Sequence, residues 1–177
     1  MADKKTIFLS YCHKDKDSAD IIDKELEKDG ISIRRDERDV GYKDSFKGFM
    51  KKIREADHAV MLLSEDFLRS ANCMYEMTEL IKEEDFKKRV LPVMVKPLSI
   101  FNTKGRIDLV KYWQGEEAKL KIEVKGIDPV NLGPLTEDLR KAQEISSSIS
   151  SFVTIMSDMK LVNLEDLRKN GYRDMGL

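Results

Sequence analysis

At 177 residues the chain has the length of one ordinary domain with a small extension; 41% hydrophobic residues suffice for a buried core, while 37% charged residues imply a densely charged surface. Lys plus Arg number 32 against 33 for Asp plus Glu, a net charge of -1, so no global field concentrates nucleic acid or anionic lipid and duplex binding is disfavoured. Two cysteines, Cys12 and Cys73, and two histidines, His13 and His58, are too few for a disulfide scaffold or a cysteine-rich zinc site, so no metal is expected.

From the N-terminus, Thr6 to Ser10 is a short β-prone apolar run, and Ala19, Ile22 and Leu26 recur at helical spacing between Asp17 and Lys28, with Gly30 as the stop. Ile31 to Arg34 alternates like a strand, a charged loop runs through Asp39 and Gly41, and Phe46, Phe49, Met50 and Ile53 mark a second amphipathic helix. Ala59 to Leu63 is continuously apolar, as suits a central parallel strand, and Asn72 to Glu84 reads as a third helix with Met77, Leu80 and Ile81 inward. Arg89 to Val95 is a fourth strand in which Pro92 removes a ladder donor and points to an edge or a bulge. Asp108 to Trp113 and Leu120 to Val124 each fit either a strand or a helix. After Pro134, Leu139, Ala142, Ile145, Ile149, Phe152, Met156 and Met159 form a long helical stripe, read as cover for the sheet. Asn163 then caps a last short helix that stops at Gly171. No apolar run reaches the roughly 18 to 20 residues that span a bilayer. The opening MADKKTIFLSY lacks an apolar segment of signal-peptide length, so a soluble cytoplasmic protein is expected.

Alternating strands and helices with short connections argue for an α/β fold, a parallel sheet covered on both faces. With strand order 2-1-3-4-5, ligands bind beyond the carboxyl ends of the strands, between the first and third. The loops that matter are Tyr11 to Asp15 and Ser64 to Asp66, the latter leading to Ser70, Asn72, Cys73 and Glu76. Glu76, in about the first turn of the third helix, can face this crevice; the plainer reading is a carboxylate favoured by the helix dipole. No Gly-x-Gly-x-x-Gly and no Gly-x-x-x-x-Gly-Lys-Ser/Thr follows a strand, which argues against a dinucleotide-binding dehydrogenase and a P-loop ATPase. A phosphoacceptor receiver needs an acidic pair where Tyr11-Cys12 stands and an aspartate where Ser64 stands. There is no Gly-x-Ser-x-Gly elbow, and Cys12 reads as a small buried or loop residue. Lys51-Lys52 and Lys87-Lys88-Arg89 read as solvated faces.

The motifs resemble those of the Toll/interleukin-1 receptor (TIR) domain, in particular its bacterial NAD-cleaving members. Ile7 to Ser10-Tyr11, followed by Asp15, is similar to the family's first box. Ile33-Arg34-Arg35-Asp36 through Gly41, Ser45 and Phe46 resembles the second strand and the self-association loop after it. Ala59 to Ser64, then Ser70, Cys73 and Glu76, resembles the third strand and the Ser-x-x-Cys-x-x-Glu signature. The resemblance covers residues 6 to about 96 and implies a flavodoxin-like TIR fold, with a TIR domain at 1–133 and a helical extension at 134–177 packed on or next to it. It further implies NAD+ nucleosidase activity giving nicotinamide and ADP-ribose or a cyclic isomer, with NAD+ as substrate and no cofactor, in immune or anti-phage signalling gated by self-association. A downstream protein that senses the product is an implied partner; nucleic acid and membrane are not. Glu76 is carried over as the catalytic residue, and Ser10, Tyr11, Asp15, Arg35, Tyr42, Ser70, Asn72 and Cys73 as substrate-binding candidates, with Asp36, Arg38 and Gly41 in the self-association loop. One position departs from the pattern: Asn72 stands where several active members place a tryptophan that can stack on nicotinamide, leaving Tyr42 and Tyr75 as aromatic candidates. The alternative function is a non-catalytic adaptor acting through TIR–TIR contacts.

Overall fold

The computed structural model describes residues 5–37, 46–159 and 161–176. β1 (Thr6–Tyr11) is a buried interior strand of the sheet, and its near-continuous apolar sequence answers to helices on both faces. α1 (Lys16–Lys28) buries Ala19, Ile22 and Leu26 and ends at Gly30, whose φ of +75° is a conformation that glycine adopts without a steric penalty. β2 (Ser32–Glu37) pairs parallel with β1 from Thr6↔Ser32 to Tyr11↔Glu37. α2 (Phe46–Glu55) turns Phe49, Met50 and Ile53 inward, and β3 (His58–Leu63) lies on the other side of β1, from Ile7↔His58 to Ser10↔Met61.

Beyond β3, Ser64 caps the single turn of α3 (Glu65–Leu68), accepting from the Phe67 amide, and Ser70 caps α4 (Ala71–Leu80), accepting from the Cys73 amide. The long helix read between Asn72 and Glu84 therefore starts one residue earlier and stops at Leu80; α5 (Phe86–Arg89) follows and feeds β4 (Val90–Met94). β4 pairs with β3, and only Val93 and Met94 meet β5 (Val162–Asn163). The sheet thus has an edge at Pro92, which is where a residue without an N–H is tolerated.

The two ambiguous segments both belong to α6 (Thr103–Glu123), which Asn102 starts by accepting from the Gly105 amide at 2.8 Å, and which buries Leu109 and Trp113 one turn apart. A Cβ at Gly105 would lie 1.9 Å from the Ser99 carbonyl oxygen, so this close approach requires glycine. The stripe after Pro134 is α7 (Gly133–Asp158), burying Ala142, Ile145, Ile149, Phe152, Val153 and Met156. Asn163 caps α8 (Leu164–Lys169) by accepting from Glu165, and Gly171 follows with φ +65°.

The described residues form one five-stranded parallel sheet in the order β2-β1-β3-β4-β5, the flavodoxin-like arrangement expected, with a helical C-terminal region. Two cores flank it. Phe8, Met61 and Leu63 meet Phe49, Cys73, Met77, Trp113, Ile149 and Phe152 on the side of α2, α4, α6 and α7. Ile7, Leu9, Tyr11 and Val60 meet Ala19, Ile22, Leu26 and Leu167 on the side of α1 and α8. No helix among the described residues is long and apolar enough to cross a membrane.

Candidate functional site

Successive side chains of a strand point to opposite faces of the sheet, so the end of β1 divides its polar residues between the two cores. Tyr11 joins the α1 side, fully buried, and its hydroxyl accepts from Arg35 Nε at 3.2 Å and Nη2 at 2.9 Å. The same guanidinium donates to Asp20 at 2.5 Å, reaches Asp23 at 3.5 Å and stacks 5.2 Å from the Tyr11 ring centroid. Burial pulls the Arg35 pKa down, but the hydrogen bonds with Asp20 and Tyr11 outweigh it and leave it raised. Tyr11 and Arg35 are therefore brought together, on the face opposite α4.

Ser10, one residue earlier, has Phe8 and Cys12 on its face and looks toward the α4 side. It is fully buried, and its hydroxyl has no hydrogen-bond partner among the described residues. Cys12 is buried in the same core, as read from the sequence.

The loops after β1 and β3 are tied across the switch point. A 3-10 turn over His13–Asp15 brings the Asp15 amide to the Cys12 carbonyl at 2.8 Å. The buried Asp15 carboxylate then accepts from Ser64 Oγ at 2.5 Å, while that oxygen accepts from the Phe67 amide at 3.0 Å. Lys14 adds an ion pair to Asp66 at 3.1 Å, largely exposed and worth little by itself. Asp15 thus links the loop after β1 to the loop after β3.

α4 presents its residues by helical period. Cys73 and Met77 face the core and are buried, while Asn72 is exposed and Glu76 half-buried one turn further along the same side. Because the helix starts at Ala71, Glu76 is its sixth residue and lies in the second turn, where the macrodipole has largely faded. Ser70 contributes its hydroxyl to the cap, at 3.4 Å from the Cys73 amide. Tyr75 turns toward α7: its hydroxyl accepts from Arg140 at 3.0 Å, and the Arg140 and Lys141 charges each lie 5.3 Å from its ring centroid. That contact fastens Tyr75 to the neighbouring helix.

Sequence reading missed the groups that hold the start of α4. Trp113 Nε1 donates to the Leu68 carbonyl at 2.9 Å and the Tyr112 hydroxyl to the Arg69 carbonyl at 3.1 Å, on consecutive residues just ahead of the Ser70 cap. The adjacent Tyr112-Trp113 pair, two aromatics each carrying a polar tip, was the available signal. Asp36 lies in β2, in register with Ser10, whereas Arg38, Gly41 and Tyr42 lie outside the described residues. Among the described residues no His, Cys, Asp and Glu cluster could hold a metal ion.

A cavity of about 310 Å³ opens at the far end of α4, floored by Met50, Ile53, Leu80 and Phe86. On its rim Arg54 pairs with Glu83 at 3.5 Å and Arg89 with Asp85 at 3.7 Å. Away from that cavity, α4 carries the half-buried carboxylate of Glu76 one helical turn from the exposed amide of Asn72, a pairing that can both accept and donate hydrogen bonds.

A family model described as the TIR domain matches residues 7–122. No curated protein matches the chain. Among solved structures, the chain is similar to the TIR domains of the activated Roq1 resistosome directly recognizing the pathogen effector XopQ, at 22% identity and a TM-score of 0.47, over 83% of this chain and 84% of that one.

Proposed function

The chain belongs to the TIR-domain family, and on that premise we propose that it cleaves the nicotinamide–ribose bond of NAD+ with Glu76 as the catalytic carboxylate. The observation that supports the reading is that Glu76 is half-buried on the second turn of α4, one helical turn beyond the exposed Asn72, on the helix that follows the loop after β3. When the C–N bond breaks, its electron pair goes to the cationic nicotinamide, which leaves neutral and needs no proton, so a single carboxylate suffices. The ribose carbon acquires oxocarbenium character that Glu76 opposes while orienting the hydroxyls. Attack by water, with loss of a proton, gives ADP-ribose; attack by a nitrogen of the substrate's own adenine gives a cyclic isomer. Ser70 and Asn72 line the approach, and the loop after β2 completes the site on self-association. The setting we propose is cytoplasmic immune or anti-phage signalling, with a second protein sensing the product.

The test is incubation of wild type and Glu76→Gln with NAD+, with products identified by mass. Wild type releases nicotinamide, and the variant loses at least about a hundredfold in turnover while its circular dichroism is unchanged. Near-normal turnover by Glu76→Gln would remove the assignment. Asn72, in the place of the stacking tryptophan, favours the second reading, an adaptor that works through TIR–TIR contacts. A wild type that self-associates yet leaves NAD+ intact under all conditions would establish it.

A further inference from the structure

We propose that the hairpin of α6 and α7 is the positioning device for Glu76, with Tyr112 and Arg140 as its two working contacts; this rests on the NAD-cleavage reading above. α4 is packed into the core through Cys73, Met74, Met77 and Leu80, and apolar packing of this kind is non-directional. It fixes the height of the helix above the sheet more firmly than its rotation or its slide along its own axis. Those two freedoms are removed by directional bonds, and the hairpin supplies them on both sides of the segment that carries Ser70 and Asn72.

The first contact lies ahead of the helix. Tyr112 donates to the Arg69 carbonyl at 3.1 Å beside the Trp113 bond to Leu68. Arg69 is itself immobilised, its guanidinium 2.6 Å from Glu65 and 5.7 Å from the Tyr112 ring centroid, while Glu65 accepts from the Ser99 amide at 2.7 Å. The second contact lies on the residue next to Glu76. Arg140 donates to the Tyr75 hydroxyl, and it is held in that pose by Glu137, at 2.6 and 3.0 Å, and by Glu144 at 2.7 Å. A guanidinium so preorganised loses little freedom in making the bond. No residue from 114 to 141 is buried, so Arg140 itself stands outside the core and meets α4 through Tyr75, which packs against the core from α4.

Tyr75→Phe and Tyr112→Phe each delete one hydroxyl and leave the ring in place, so they are tested singly and together, with Arg140→Met and Arg140→Lys beside them. The readouts are steady-state NAD+ cleavage and amide hydrogen exchange along α4. The double Phe variant is expected to lose about tenfold in kcat with KM within about twofold, because the displaced group acts on the transition state. Its α4 amides exchange faster, and Arg140→Lys, which keeps a cation over Tyr75, recovers most of the kcat that Arg140→Met loses. Faster exchange with unchanged kcat overturns the proposal, since the hairpin then fastens α4 without orienting Glu76. Unchanged exchange and unchanged kcat overturn it as well. If wild type turns over NAD+ no faster than Glu76→Gln, the NAD-cleavage reading fails and the proposal falls with it, a result that the wild-type control separates from the other two.

Discussion

Replacing Ser10 by alanine is expected to stabilise the protein. The Ser10 side chain is wholly inaccessible at the end of β1, and its hydroxyl is a buried polar group without a hydrogen-bond partner among the described residues. A buried polar group left unsatisfied costs about 1–3 kcal/mol of desolvation that folding does not return. Alanine keeps the Cβ and removes one oxygen, whose lost dispersion contacts, at about 0.1–0.2 kcal/mol for each atom pair, offset part of that gain. The balance is about 1 kcal/mol in favour of the variant, which for a chain of this size raises Tm by about 2–4 °C. Urea unfolding followed by circular dichroism, with the slope unchanged between the two proteins, measures it directly. A Ser10→Ala protein less stable than wild type by 1 kcal/mol, roughly the worth of an ordinary hydrogen bond, would show that the hydroxyl has a partner and would refute the reasoning. Ser10 faces the α4 side at the switch point, so the same variant also reports on function. A rise in KM for NAD+ together with the rise in Tm would mark the hydroxyl as held unpaired for the substrate.

Asn72→Trp restores an aromatic one turn before Glu76 and is expected to lower KM for NAD+ by about threefold to tenfold, read from initial rates; weaker binding with an intact fold would show that nicotinamide is held elsewhere. Arg168 and then Tyr172 hydrogen-bond to Glu25 and hold its carboxyl below the usual glutamate range, so its stabilising effect is fully present above 4.5 and is lost as pH falls through the depressed folded value. Glu25→Gln should accordingly lower Tm by about 2–4 °C at neutral pH, with the gap to wild type closing in acid; a gap that widens as pH falls would contradict this. The loop from Asp36 to Lys43 carries charges of both signs, and specific activity should climb with protein concentration and drop when Arg38→Glu is combined with Gly41→Pro. Constant activity per subunit across a wide dilution series would point to a self-sufficient monomer.

What was legible in the fold follows from where packing imposes a pattern. β1 and β3 are buried on both faces, so their residues are apolar without alternation, and the helical stripe of α7 from Ala142 to Met156 lies against the core along its length. β5 was missed because two residues cannot display a period, and Asn163 announced itself only as a helix cap. The ambiguity of Leu120 to Val124 has the opposite cause. That end of α6 is not buried on any side, so nothing selects for a helical spacing of apolar residues there, and Ile122 is left 68% exposed.

The site divides along the same line. The relative placement of Asn72, Cys73 and Glu76 was legible because one helix carries them, and its period turns Cys73 to the core and leaves Asn72 and Glu76 on one outer side. Ser10 and Tyr11 stand together in one motif, yet the pleat sends them to opposite faces, and Tyr11 meets Arg35 and α1 instead of α4. Tyr112, Trp113 and Arg140 had no comparable signal. Their partners lie 43, 45 and 65 residues away, and two of the three are backbone carbonyls, which every sequence presents alike. A short motif can therefore name a carboxylate, whereas the contacts that side chains on two other helices make to the segment around it, at Leu68, Arg69 and Tyr75, come together only in the assembled fold.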